Sequence, residues 1–349
     1  MIPATPSIRH LARVLGLSHT TVSEALRDTP RVNAETRRRV CVAAQAAGYR
    51  KNPLASVLMS EMRRSRAGVL LGVIAIVDLD GPESRPPSQA YYHRELSKGA
   101  IDRAAELGFR AEVFIVGHGG MTTRRLDTIL QSRGIHAVFF LPVSDNPDVT
   151  PLDWTRYAGV YTDCVIEHPA LHSICPNHFR AMLMALRQLR ALGYKRPGLV
   201  LQRHHDERLL HLWEAAHWAY QTHIGTPRVK IPVHLPGDIG QKGFTKWFKK
   251  HNPDVVLCHR AEVMGWMREA GARIPRTHGY CCLNTMMNPD VPCAGLDLQP
   301  RLLGARGIEL LIAQLHRNEY GIPVQPSTTT IPARWIDGPT LRAMGRPVP

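Results

Sequence analysis

Beyond residue 69 the chain alternates short apolar runs with amphipathic helical stretches, and few folds absorb such an order. VLLGVIAIV leads to a helical stretch from Glu95 to Leu107 that ends at Gly108; strand-like RAEVFIV, a helical stretch near Leu126 and strand-like HAVFFLPV follow. Apolar runs of strand length, separated by helices, predict right-handed βαβ units and a parallel sheet. A second series repeats the theme: helical NHFRAMLMALRQLRALG, strand-like PGLVLQ, helical ERLLHLWEAAHWAYQTH, strand-like VKIPVHL and PDVVLCH, helical AEVMGWMREAG and strand-like GYCCLN. Two similar α/β lobes are therefore expected. Between about 293 and 336, CAGLDL, a helix Arg301–Arg317 and TTTIPARW can hand the chain back between them. The reading assigns 67–349 to this core, with an N-lobe of about 67–163 plus 295–325 and a C-lobe of about 164–294 plus 326–349.

The first fifty residues have a different texture. Ser7 can cap a helix carrying Leu11, Ala12 and Leu15; Gly16 suits the left-handed residue that ends it, and Ser18 can cap a second helix. On that second helix Val22, Ala25 and Leu26 form the apolar face, which leaves His19, Thr20, Thr21, Ser23 and Glu24 for a partner. A small residue at Ala12 lets the helices approach, Gly16 makes the turn and branched Val22 fixes the crossing, which is helix-turn-helix logic. A third helix is capped by Asn33, buries Val40, Ala43, Ala44 and Ala47, and stops at Gly48. Residues 1–50 thus read as an all-α helix-turn-helix domain. Residues 51–66 read as a linker with a helical pattern, its apolar face formed by Leu54, Val57, Leu58 and Met62. Charge points the same way, since the first 66 residues hold twelve basic and four acidic side chains, +8 of the chain's +15. A positive end of this kind suits a polyanion such as nucleic acid.

Other chemistries find little support. Seven cysteines without a CxxC spacing argue against a disulfide framework and a structural zinc site, and point to a reducing cytoplasm. MIPATPSIRH lacks the apolar core of a signal peptide, and the clean run Val69–Val77 is too short to cross a bilayer. His204, His205, Asp206 and Glu207 are metal-ligand types without a third ligand at recognisable spacing, GHGG lacks the spacing and lysine of a phosphate loop, and no nucleophile elbow occurs. The expectation is a non-enzymatic protein with no cofactor, no metal and no membrane partner.

The stretch IRHLARVLGLSHTTVSEAL, continued by PRVNAETRRRVCVAAQAAGYRKNPLASVL, resembles the amino-terminus of the lactose-repressor (LacI/GalR) family of transcription regulators. YYHRELSKGAIDRAAELGF, the HSICPNHFRAMLMALRQLRALGYKRPGLV crossover, PDVVLCHRAEVMGWMREAGARIP, AGLDLQP and ARWIDG resemble that family's effector-binding core. The resemblance implies a homodimer whose periplasmic-binding-protein-like, two-lobed core (two Rossmann-like parallel-sheet subdomains) closes on a small effector, and whose linker becomes a helix on pseudo-palindromic operator DNA. It places His19 and Thr20 at base-reading positions and Thr21 and Ser23 against phosphates. Glu24 stands where many relatives carry a basic residue, so it either accepts from a cytosine amino group or faces solvent. Ser7, Ser18, Arg27, Asn33, Tyr49, Asn52, Leu54 and Ala55 complete the implied DNA-facing set, and Leu58 keeps the leucine position that wedges into the minor groove.

In the core, the effector is expected in the crevice at the carboxyl ends of the strands. Tyr91, Tyr92 and His93 fall where relatives place rings against it, Arg208 matches a ligand-clamping arginine, and Asn284 replaces the usual aspartate. Asn177 and Asp297 lie near the lobe crossovers. Such a lining suits a sugar or another polyhydroxylated ligand. A carbohydrate-responsive repressor is the favoured reading; a periplasmic-type sugar-binding protein without DNA function is the alternative, against which the basic helical amino-terminus weighs.

Overall fold

The computed structural model describes residues 8–26, 32–46, 71–81, 85, 87–117, 121–144, 146–162, 167–224 and 230–342. The chain divides into two compact units, 1–69 and 70–349. The linker expected over 51–66 lies outside the described residues.

In the first unit, α1 (Ile8–Leu15), α2 (His19–Leu26) and α3 (Ala34–Ala46) form the expected trihelical bundle. Gly16 turns the chain at φ +64°, a conformation that a side chain disfavours. Ser18 Oγ accepts from the Thr21 amide at 3.0 Å and Asn33 Oδ1 from the Thr36 amide at 2.8 Å, so both expected caps form. Leu11, Ala12, Val22, Ala25, Val32, Val40 and Ala44 make the core, with Ala43 half-buried against it.

The second unit runs β1 (Gly72–Asp78), α4 (Pro87–Glu106), β2 (Phe109–Ile115), α5 (Thr123–Ser132), β3 (Ala137–Phe140), β4 (Ala158–Tyr161) and β5 (His172–Pro176). It continues through α6 (His178–Ala191), β6 (Pro197–Leu199), α7 (Arg203–Arg208), α8 (Leu212–Ala219), α9 (Gln241–His251), β7 (Val255–Cys258), α10 (Val263–Glu269) and β8 (Gly279–Cys282). It closes with β9 (Gly295–Asp297), α11 (Pro300–Arg317), β10 (Thr328–Ile331) and β11 (Arg334–Ile336). One sheet has the order β10-β5-β4-β3-β1-β2 and is parallel throughout. The other has the order β11-β9-β8-β7-β6, parallel except for β11.

Alternate strand residues face opposite layers, as the pleat requires. Ile74, Ile76, Phe139, Val160 and Ile174 pack with Leu96, Ala100, Leu303, Ile308 and Leu311 of α4 and α11. Ala75, Val77, Val138, Phe140 and Tyr161 meet Leu126 and Leu130 of α5. In the second sheet Leu199, Leu257 and Cys281 face Met182, Leu186 and Trp213, while Val256, Cys258 and Tyr280 face Phe244, Phe248 and Met267.

The lobe boundaries differ from the expected ones. β5 and β10 pair inside the first sheet and β9 inside the second, so the chain crosses between lobes after Pro176, after Asp297 and after Ile331, rather than near 163, 294 and 325. HSICP is a strand of its own that hands directly to a helix, and TTTIPARW is two strands in two sheets. VKIPVHL contributes only an isolated bridge between His234 and Val200, whereas QKGFTKWFKKH, whose Phe244, Trp247 and Phe248 share one face, is a helix that the pattern reading passed over. ERLLHLWEAAHWAYQTH is broken after Arg208, where Leu210 and His211 both adopt positive φ (53° and 56°).

α4 and α11 touch backbone to backbone. A Cβ on Gly304 would lie 2.1 Å from the Leu96 carbonyl oxygen, and one on Gly99 2.1 Å from that of Arg301. Because neither helix can move without opening the layer below, Gly304→Ala is expected to lower stability by about 3 kcal/mol. Urea unfolding monitored by circular dichroism measures this, and an unchanged midpoint would show that the helices part freely.

Candidate functional site

The cleft of the core unit is built from segments that leave the carboxyl ends of parallel strands. The first lobe contributes Asp80 after β1, Gln89, Tyr92 and His93 from the start of α4, Pro142, Val143 and Ser144 after β3, Thr162 after β4, and Pro176 at the end of β5, and just past the crossover His178 opens α6 of the second lobe. The second contributes His204, His205, Arg208 and Leu209 on and after α7, His259 after β7, Asn284 and Met287 after β8, and Leu298 after β9.

Four of the expected effector contacts, Tyr92, His93, Arg208 and Asn284, are thus brought together. Arg208 reaches across the cleft to donate from Nη1 to the Val143 carbonyl at 2.8 Å. Asn284 Oδ1 accepts from the Met286 amide at 3.2 Å, bracing the turn beside it. The other three stand elsewhere. Tyr91 lies under the Arg94 guanidinium, 5.4 Å from ring centroid to Cζ, one position out of phase with the cleft face of α4. Asn177 caps α6, accepting from the Arg180 amide at 3.0 Å, and ties β10 through Thr330. Asp297 accepts from the Gln299 amide at 2.8 Å and faces Arg334 at 3.6 Å, so it shapes the second crossover.

Sequence reasoning found His93 but did not place His178, His205 and His259 in the cleft. His205 and His259 pack edge to face at 4.7 Å, and Trp213 lies beneath, 5.0 Å from His178 and 5.6 Å from His259. Burial pushes His178 and His259 down to about 3, with the Arg208 charge adding to both and the His259 charge also adding to that of His178. His205 is driven well below its ordinary value, first by burial and then by His259 and Arg208. His93 falls to about 3 through burial and the Arg85 charge, against the pull of Asp78. The rings are neutral, and a neutral imidazole offers one donor and one acceptor. The Nδ1 atoms of His93 and His178 make no hydrogen bond with the protein. Behind His93, buried Arg85 donates to Asp78 through Nη1 at 2.6 Å and again through Nη2. Burial opposes the Asp78 charge, but this pairing outweighs it and holds the carboxyl below its usual range. The signal that finds His178 and His259 is position: each stands within two residues of a strand's carboxyl end.

In the amino-terminal unit, His19, Thr20, Thr21, Ser23 and Glu24 all lie on α2, and Ser18 and Asn33 are engaged as caps. The side chains of His19, Thr20 and Ser23 fall outside the described residues, as do Ser7, Arg27, Tyr49, Asn52, Leu54, Ala55 and Leu58. Residues 7–52 match the model of bacterial regulatory proteins of the lacI family. The amino-terminal unit is a lacI-family domain. Over 74 residues the chain is 45% identical to the HTH-type transcriptional regulator AglR of Rhizobium meliloti (strain 1021), and over 241 residues 26% identical to an uncharacterized HTH-type transcriptional regulator in the aml 5′ region of Streptomyces limosus. These alignments cover 21% and 67% of this chain and 20% and 63% of those relatives. Among solved structures, the transcriptional regulator CelR in complex with cellobiose matches 96% of this chain and 99% of its own, with a TM-score of 0.58 at 16% identity. The lac repressor dimer bound to operator and the anti-inducer ONPF matches 97% and 99%, with a TM-score of 0.55 at 18% identity. The lacI-family domain is therefore followed by a core with the fold of these regulators.

The buried imidazoles make acid a stress on the core. Unfolding returns each ring to an ordinary value near 6.5, so below that pH the unfolded chain binds protons that the folded chain refuses. Stability is full above about 6.5 and declines as pH falls towards 3; His178 alone accounts for about 2 kcal/mol at pH 5. Urea midpoints at pH 7.5 and pH 5 are expected to differ less in His178→Gln than in the parent, and an equal difference would mean that this ring titrates normally.

Proposed function

We propose that the protein is a sequence-specific DNA-binding transcription regulator, a repressor acting as a cytoplasmic homodimer, whose grip on a pseudo-palindromic operator is set by a small polyhydroxylated effector held between the lobes of the core. The observation that carries the reading is the pairing of a lacI-family helix-turn-helix domain with a cleft lined by hydrogen-bonding groups from both lobes. α2 takes the role of recognition helix, with its amino-terminal residues turned to base edges in the major groove. In the cleft, neutral imidazoles, Asn284, Ser144 and Thr162 alternate donors with acceptors, Arg208 adds charged donors, and Tyr92, Met287 and Leu298 add apolar surface. A sugar needs that combination, since every hydroxyl both gives and accepts a hydrogen bond. That the structurally similar regulators were solved with cellobiose and with operator DNA plus ONPF supports both halves of the reading.

Effector closure changes the angle between the lobes, and the sequence of 51–66 supplies the connection to DNA. Its apolar face of Leu54, Val57, Leu58 and Met62 suits a helix too short to be stable alone, which a partner helix and a minor groove would secure.

Operator selection with the purified full-length chain, with and without a panel of sugars, tests both partners at once. One enriched palindromic site and one sugar that alters its retention are the expected result; enrichment of no sequence would overturn the reading. Affinity for the selected site is expected to fall steeply between low and moderate salt as phosphate contacts are screened. Arg208→Ala is expected to keep the DNA affinity and to lose the effector response, read by titrating the sugar against a preformed complex; a normal titration would remove Arg208 from the effector site.

A further inference from the structure

At the elbow between α7 and α8, three side chains outside the cleft lining converge at ion-pair distance, too far apart to hydrogen-bond. Asp206, on α7, is fully enclosed, and neither of its carboxylate oxygens makes a hydrogen bond. Burial pushes the carboxyl up to about 6, against the pull of the nearby His211 ring and of the Trp213 and Glu214 amides in the first turn of α8. The left-handed pair Leu210 and His211 folds the chain back so that the His211 amide bonds to the Asp206 carbonyl at 2.8 Å. That reversal sets His211 Nδ1 3.7 Å from Asp206 Oδ2 and 3.7 Å from Glu214 Oε2. One ligand atom from each of the three residues lies within 4.8 Å of the others.

The distance decides between two explanations. A spacing of 3.7 Å is too long for a hydrogen bond. It is close to the separation of two ligands on one ion, because atoms about 2.0–2.2 Å from a tetrahedral centre stand about 3.3–3.6 Å apart. An enclosed carboxylate whose oxygens make no well-formed hydrogen bond is also a costly group to bury, and a cation offsets that cost. We propose that Asp206, His211 and Glu214 hold a divalent transition-metal ion of the zinc class, with water completing its coordination. One imidazole and two carboxylates suit such an ion better than calcium, which takes oxygen ligands only. His211 and Glu214 are partly exposed and border a surface groove with Trp218 and Gln221, so an ion has a route in. The site does not depend on what the cleft binds, but it would clamp the helix from which His205 and Arg208 enter that cleft.

The test uses the full-length chain, stripped with a chelator and titrated calorimetrically with zinc chloride and, separately, calcium chloride. The expected result is one saturable zinc site per chain that raises the thermal midpoint, weakens at least about tenfold in His211→Ala and in Glu214→Gln, and is unaffected in His223→Ala. Both informative substitutions are at exposed positions, so folding is preserved even where Asp206→Asn fails to fold. Zinc affinity equal in the parent, His211→Ala and Glu214→Gln overturns the proposal, as does absence of saturable zinc binding. Saturable calcium binding at the same residues overturns the assignment to the zinc class.

Discussion

Parallel pairing governs this molecule. Strands that run the same way must be joined by crossovers, and the crossovers place every carboxyl end on one edge of the sheet. Two such sheets, linked through short peptides, present those edges to a shared cleft. Asp80, Ser144, Thr162, His178, His259 and Asn284 come from six separate strands, yet each stands within four residues of a strand's end. The chemistry of the cleft is thus a by-product of the way the apolar strands are stacked. Residues such as Ile74, Phe139 and Leu257 hold the stack and never touch what lies between the lobes.

The cleft also encloses four imidazoles deeply enough to keep them uncharged beside a guanidinium. Burial dominates each of them, and the positive field of Arg208 pushes the same way on each. Rings held neutral keep an acceptor nitrogen that protonation would remove, and the enclosed Nδ1 atoms of His93 and His178 make no hydrogen bond with the protein.

Much of this was legible in the residues, for reasons that differ by region. The trihelical unit could be read because Gly16, Ser18 and Asn33 act locally, through turn conformation and caps that need no distant partner. The alternation of strands and helices could be read because the pleat and the helix impose different periods. The lobe boundaries could not, since TTTI joins its sheet only by pairing with HSICP, far away in sequence. The same limit hid His178 and His259. Nothing in a ten-residue window distinguishes His259 from the other seventeen histidines; the packing of His205 and Trp213 against it does. Tyr91 and Tyr92 show how narrow the margin is: Tyr91 stands about 100° of helical turn before Tyr92 and so falls off the face that Tyr92 and His93 present to the cleft.

The three peptides that pass between the lobes, near 177, 298–299 and 332–333, form a set of side-by-side tethers. A single tether would let the halves swivel in any direction, whereas three leave bending about the line through them as the soft mode and resist both twist and separation. A molecule lodged in the cleft would therefore act on one scalar, the gape of the jaws, and one too long or too short would set a different angle on a single dial.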